Sequence, residues 1–201
     1  MNNLSTVILA AGLSRRMGTD NKLLLPVCGV PMIRHMVGVY SAVTDGAVIV
    51  ITGHEAQRIE SALAGSVVQT VFNPDYNLGQ HTSVACGLNA VPEGHDLLVG
   101  LGDQPLLRET DLHALIDAHK ARPGLISIPQ NAAQRGNPIV IPAALRARLL
   151  ADPRNPGCRS FTRQNPEQVQ FHDLPAAGFY ADVDTPEAYA AFERGALEPV
   201  P

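Results

Sequence analysis

Short apolar runs rich in Val, Ile and Leu alternate along the chain with longer segments whose apolar residues recur at helical spacing. Buried parallel strands that alternate with covering helices leave this pattern. Thr6–Ala10 reads as the first strand, Ala47–Ile51 as the second, Val67–Phe72 as the third and His95–Leu101 as the fourth. Helices are predicted over Pro31–Val43, Glu55–Leu63, Thr82–Ala90 and Glu109–Lys120, with Pro31 in the first turn of its helix. Leu125–Pro129, Pro138–Pro142 and the shorter Val169–His172 complete the strands. The prolines around the first two favour sheet edges or strand ends over central ladder positions. The run Asp152–Gly157 reads as a surface connection, and a last helix near Glu187–Glu193 has Thr185 as N-cap and Pro186 at its first position. The alternation predicts an α/β fold with ligands outside the carboxyl ends of the strands.

Composition narrows the partners. A chain of 201 residues, 45% hydrophobic and 17% charged, suits one globular domain over residues 1–201. A formal net charge of -4 argues against nucleic acid or an anionic membrane surface as a partner, since both require a broadly basic footprint. No apolar stretch approaches the roughly 20 residues that span a bilayer. Met1-Asn2-Asn3-Leu4 has no charged region ahead of an apolar one, so a cytoplasmic protein is expected. Cys28, Cys86 and Cys158 are odd in number and widely spaced, which fits neither a disulfide framework nor a zinc site. They read as reduced thiols, Cys28 among the apolar neighbours Leu25, Pro26 and Val27.

Against this acidic background, three basic residues crowd into LAAGLSRRMGTDNK, Leu9–Lys22, directly after the first strand. Gly12 and Gly18 enclose five residues and Thr19 follows Gly18, so the spacing is not that of a P-loop. Ser14 occupies the second glycine position of a dinucleotide fingerprint, so that fails too. What remains is a loop whose backbone can approach a ligand at Gly12, with Arg16 and Lys22 to neutralise a polyphosphate. The competing reading is a solvated surface loop.

The pattern L-A-A-G-x-S-x-R-M-G-x-x-x-K resembles the nucleotide-binding signature of GT-A-type nucleotidyltransferases. Within them it is most similar to the molybdenum cofactor cytidylyltransferases and their guanylyltransferase relatives, the MobA-like NTP transferases. Four further segments follow in family order: Asn73–Leu88 (NPDYNLGQHTSVACGL), Gly102–Pro105 (GDQP), Gly136–Pro142 (GNPIVIP) and Asp182–Tyr189 (DVDTPEAY). Ala10-Ala11-Gly12 and the Asp-x-Asp-Thr-Pro form resemble the cytidylyltransferase branch. The resemblance implies a three-layer αβα sandwich, Rossmann-like, with a mostly parallel central sheet. It implies CTP held by Leu9, Ala10, Ala11 and Gly12 and by the helix opening at Gly79, Thr82 and Ser83. Arg16 and Lys22, with Arg15 able to share the role, would hold the outer phosphates. Mg2+ would sit on Asp103 and Asp184, with Asp182 the alternative. The implied partners are CTP or another NTP, a molybdopterin-type cofactor and a recipient molybdoenzyme.

Magnesium takes one or two carboxylates and completes its octahedron with phosphate and water, which matches this acid count. Other readings stay open: Asp103 could cap the turn before Gln104-Pro105, Asp184 could cap the last helix, and Thr82 and Ser83 could only cap theirs. A phosphate monoester acceptor is already anionic near neutral pH, so the chemistry needs no general base and no Ser/His/Asp or Cys/His arrangement. Asn137 stands where the family commonly has His, and it cannot become cationic. Arg135 and Arg159 are candidate anion contacts or solvated side chains, and His81 is a turn histidine that needs no function. A transferase with another base or acceptor, and a non-catalytic cofactor-binding accessory protein, are the competing functions.

Overall fold

The computed structural model describes residues 3–132, 134–151 and 158–195, so the connection at 152–157 lies outside the described residues. The chain runs β1 (Leu4–Ala10), β2 (Pro26–Val27), β3 (Val30–Pro31), α1 (Met32–Ser41), β4 (Val48–Thr52), α2 (Ala56–Ala62), β5 (Gln69–Phe72) and α3 (Gln80–Ala90). It continues through β6 (Asp96–Leu101), α4 (Glu109–His119), β7 (Ile126–Asn131), β8 (Gln134–Arg135), β9 (Ile139–Ile141), α5 (Arg146–Leu150), α6 (Cys158–Gln164), β10 (Val169–Asp173) and α7 (Pro186–Glu193). The main sheet has the order β10-β7-β9-β6-β1-β4-β5. β4, β5 and β6 extend the sheet parallel to β1, β10 runs parallel to β7, and β9 is antiparallel to both its neighbours.

Side-chain alternation along β1 explains the three layers. Leu4, Ile8 and Ala10 join α1, α2 and α4 in one core, while Val7 faces the other core with α3, α5 and α6. Two glycines set how closely layers approach. A Cβ on Gly87 of α3 would lie 2.4 Å from Val7, and one on Gly100 of β6 would lie 1.9 Å from the Tyr40 hydroxyl. Only hydrogen at these positions lets α3 and α1 seat on the sheet.

Several expectations are corrected. β7 and β9 lie inside the sheet, not at its edges. Their prolines are tolerated because Pro138 and Pro142 fall just outside β9, and because β9 pairs β7 at Ser127↔Val140, short of Pro129. β5 and β10 are the edge strands, β5 with Phe72 half exposed and Val67 just before it almost fully exposed. Cys28 is exposed at the tip of the β2–β3 hairpin, where it and Gly29 both have positive φ (51° and 83°), as a two-residue turn between twisted strands requires. The short helices α5 and α6 were not read from the sequence. Among the described residues no helix is long and apolar enough to cross a membrane.

Candidate active site

The strand order reverses at β1. The chain continues from it to β4 on one side, and β6 returns on the other, which opens a crevice at their carboxyl ends. Leu9 pairs with Leu101, and the Gly102 amide donates to the Leu9 carbonyl at 3.1 Å, so the loop after β1 lies beside Asp103. The resulting cleft, about 990 Å³, is lined by Leu9, Ala10, Ala11, Gly12 and Lys22, by Ser83 and His81, by Asp103, Asp182 and Asp184, and by Arg135, Asn137 and Arg159.

Its charged centre is assembled from three distant segments. Lys22 opens a single 3-10 turn, held because the buried Asn21 side chain accepts the Leu23 amide at 3.1 Å and Leu23 itself is buried. The Val183 amide donates to the Asp103 carbonyl at 2.9 Å, tying the end of β6 to the segment before α7. Val183 is fully buried with Val27 and Met32, while Asp182 and Asp184 on either side of it reach the cleft. The Lys22 ammonium donates to both Asp103 and Asp184, and the Arg16 guanidinium donates to the second oxygen of Asp184. The Lys22 and Asp103 side chains are 12% and 15% exposed, so this pair is shielded, whereas Arg16 at 68% is screened by water.

These contacts bear on the capping roles that the sequence leaves open. Thr185, not Asp184, caps α7: its hydroxyl accepts the Ala188 amide at 3.2 Å. Asp103 engages Lys22 and makes no cap to the following turn, where the Leu107 amide meets the Gln104 carbonyl. Thr82 does not line the cleft. Its hydroxyl accepts from Asn73 and reaches the Asp75 and Gly79 carbonyls, all at 2.9 Å, so it closes the turn that opens α3. Gly79 stands at the N-cap of α3 with φ 126° and does not line the cleft either. Ser83 both lines the cleft and accepts from the buried Asn73 at 2.9 Å. Arg15 is exposed and outside the cleft lining.

A family model described as the MobA-like NTP transferase domain matches residues 6–169. The chain belongs to the MobA-like NTP transferase family. It is 31% identical over 189 residues to a protein named nicotine blue oxidoreductase from Paenarthrobacter nicotinovorans, covering 90% of this chain and 92% of that one. The bifunctional protein GlmU of Cupriavidus pinatubonensis is 35% identical over 116 residues, and the match spans about a quarter of that longer protein. A nucleotidyl transferase structure from Methanothermobacter superposes with a TM-score of 0.81 at 25% identity, covering 97% of this chain and 98% of the other. Family and fold together make this MobA-like protein a nucleotidyltransferase-type enzyme with the α/β nucleotidyltransferase fold.

Its electrostatics follow from the acid count. Burial works against the Lys22 ammonium, yet Asp103 and Asp184 outweigh it and raise the pKa. Burial pushes Asp184 up, but Lys22 and Arg16 bring its pKa below the ordinary value. Asp182 has no such partner: burial first, then the charges of Asp103 and Asp184, push it up to about 6. Between the ordinary carboxylate pKa and 6, the folded protein therefore keeps a proton that the unfolded chain has released, so stability falls as pH rises through this window. Asp182→Asn is expected to raise the Tm above pH 6, with the gain fading toward pH 4. Calorimetry in EDTA at both pH values checks this, and an equal shift at both would contradict it.

The donor set suits a hard divalent cation. Asp103 Oδ1 is buried with no hydrogen-bond partner, and the neighbouring Asp184 adds a second carboxylate. Among the described residues no group of three or more His, Cys, Asp or Glu is placed to hold an ion by itself, so any such ion would share its shell with substrate oxygens and water. Sequence reasoning missed Asn73, whose amide braces Ser83 and Thr82, and Arg163, which lines the cleft four residues beyond Arg159. The signal for Arg163 was present as R-x-x-x-R in Cys158–Gln164, but the segment had not been assigned to a helix.

Proposed function

We propose that this protein transfers CMP from CTP to the phosphate of a molybdopterin-type cofactor, giving the cytosine dinucleotide form and pyrophosphate. The observation that carries this reading is the Lys22–Asp103–Asp184 cluster beside the Leu9–Gly12 loop, at the switch point of the sheet. A Cβ on Gly12 would meet nothing within 4 Å, so packing does not demand glycine there and the backbone is open to close approach by a ligand. The Ala-Ala-Gly and Asp-x-Asp-Thr-Pro forms support cytidine as the base.

In this mechanism Lys22 and Arg16 hold the outer phosphates, Lys22 as a point charge and Arg16 as a fork, and stabilise the charge that develops on departing pyrophosphate. Asp103 and Asp184, with Asp182 beside them, would hold Mg2+, which when bound offsets negative charge on the reacting phosphates. The acceptor phosphate needs no base from the protein because it is already ionised. A soluble cytoplasmic setting and delivery to a recipient molybdoenzyme belong to the same proposal.

Pyrophosphate release measured with each of four NTPs, with and without the cofactor, tests it. Release that requires both CTP and cofactor is expected. Release with another base or acceptor would move the substrate assignment, and cofactor binding without release under any NTP would favour an accessory protein. Because a relative matched along nearly its whole length is named an oxidoreductase, NADH oxidation by the same preparation is measured alongside; turnover there without pyrophosphate release would overturn the transferase reading.

A further inference from the structure

The half of the cleft built on β7, β9 and α6 is cationic in a way the chemistry above does not use. Arg135 extends from β8 with its guanidinium over the Phe171 ring, 4.8 Å from the centroid. Arg159 and Arg163 stand one turn apart on α6, and both line the cleft with Arg135. Thr162 is buried and Phe161 packs on the core with Arg148 over its ring at 5.3 Å, which fixes the rotation of α6. Among the described residues none of these three arginines pairs with a carboxylate, unlike Arg16 and Arg58. Two like charges at i,i+4 repel by about 0.2–0.5 kcal/mol, and among the described residues no ion pair offsets it. Ile128 and Ile139 line the same half and give it an apolar floor.

We propose that Arg159 and Arg163, assisted by Arg135, seat the phosphate of the acceptor, and that the acceptor is a phosphomonoester carried on a flat ring system whose face meets Ile128 and Ile139. Guanidinium forks match phosphate oxygens in pairs, and the isoleucine floor suits a ring better than a hydrated sugar. The cation that Asn137 does not supply then comes from α6. The word acceptor rests on the transferase reading; the phosphate seat does not. In the reaction, an acceptor phosphate oxygen forms a bond to the α-phosphorus of CTP, the bond from that phosphorus to the bridging oxygen breaks, and pyrophosphate leaves with the electron pair. No proton needs to be removed from the ionised acceptor.

Calorimetric titration of the full chain with phenyl phosphate and with inorganic phosphate tests the seat. Phenyl phosphate is expected to bind more tightly than inorganic phosphate, to weaken at least about tenfold in Arg159→Gln/Arg163→Gln, and to keep its affinity in Lys120→Gln, which removes a cation outside the cleft. Arg159→Lys/Arg163→Lys, which keeps charge but loses the forks, should fall between wild type and the glutamine variant. CTP uptake with Mn2+ should be unchanged in the glutamine variant. Wild-type affinity in the double glutamine variant, an equal loss of binding in Lys120→Gln, or no binding to wild type in the millimolar range would each overturn the seat, and equal affinity for the two phosphates would overturn the apolar floor. Failure of CTP to bind wild type while phenyl phosphate still depends on α6 would sink the transferase reading and leave the seat standing.

Discussion

Lys22→Met is expected to lower turnover about 10²- to 10³-fold while tightening the binding of Mn2+ in the absence of nucleotide. Both effects have one cause. The Lys22 ammonium is shared between Asp103 and Asp184, the same carboxylates proposed to receive the cation, so without a triphosphate it competes with any metal for those oxygens. In the proposed mechanism a bound triphosphate would draw the ammonium away and free them, so nucleotide and metal are expected to assist each other's binding. Methionine keeps the length and apolar stem and removes the charge, which deletes the phosphate clamp and the competitor together. The variant should also melt lower, since the shielded Asp103 loses its counter-charge and Asp184 keeps only the exposed Arg16, and added Mn2+ should restore part of that loss. Steady-state pyrophosphate release and Mn2+ calorimetry report the two arms. Turnover within threefold of wild type, or Mn2+ affinity no higher than wild type, would remove Lys22 from its role.

Asp103→Asn should cut turnover by a similar 10²- to 10³-fold and shift the metal dependence to much higher concentration. Asparagine is isosteric, and the hydrogen bond that ties this position to Val183 uses the backbone carbonyl, so the fold should survive. What changes is the carboxylate: the buried Oδ1 that has no partner and the Oδ2 that meets Lys22 lose their negative charge. Asp182→Asn, one acid away in the same cleft, should retain more activity, because Asp182 makes no ion pair with Lys22 and burial pushes its own pKa up to about 6. Rate measurements across a Mg2+ or Mn2+ series separate the two. Equal losses in both variants, or an unshifted metal curve for Asp103→Asn, would show that Asp103 is not a ligand.

Hydrophobic period was enough for the strands that are buried on both faces, because an uninterrupted Val/Ile/Leu run has few other places to go. β1, β4 and β6 were read within a residue or two for that reason. β5 is the third strand expected from its apolar run, yet it is an exposed edge, since apolar content does not reveal which strand lacks a neighbour. Proline left two placements open, sheet edges or strand ends: the edge placement fails for β7 and β9, and the strand-end placement holds for Pro138 and Pro142, which flank β9. α6 went unread because its seven residues are too short for period to show.

By itself, the order of residues determined the strand–helix alternation, the glycine-rich basic loop after the first strand, and the acids that follow later strands, because those depend on local spacing and side-chain chemistry. Only the tertiary structure decided that Lys22 lies between Asp103 and Asp184, that Thr185 leaves Asp184 free of capping, and that Arg159 and Arg163 share a wall. These partners are separated by up to 162 positions, and Coulomb energy depends on distance through space, which is fixed by the order of strands in the sheet and not by distance along the chain.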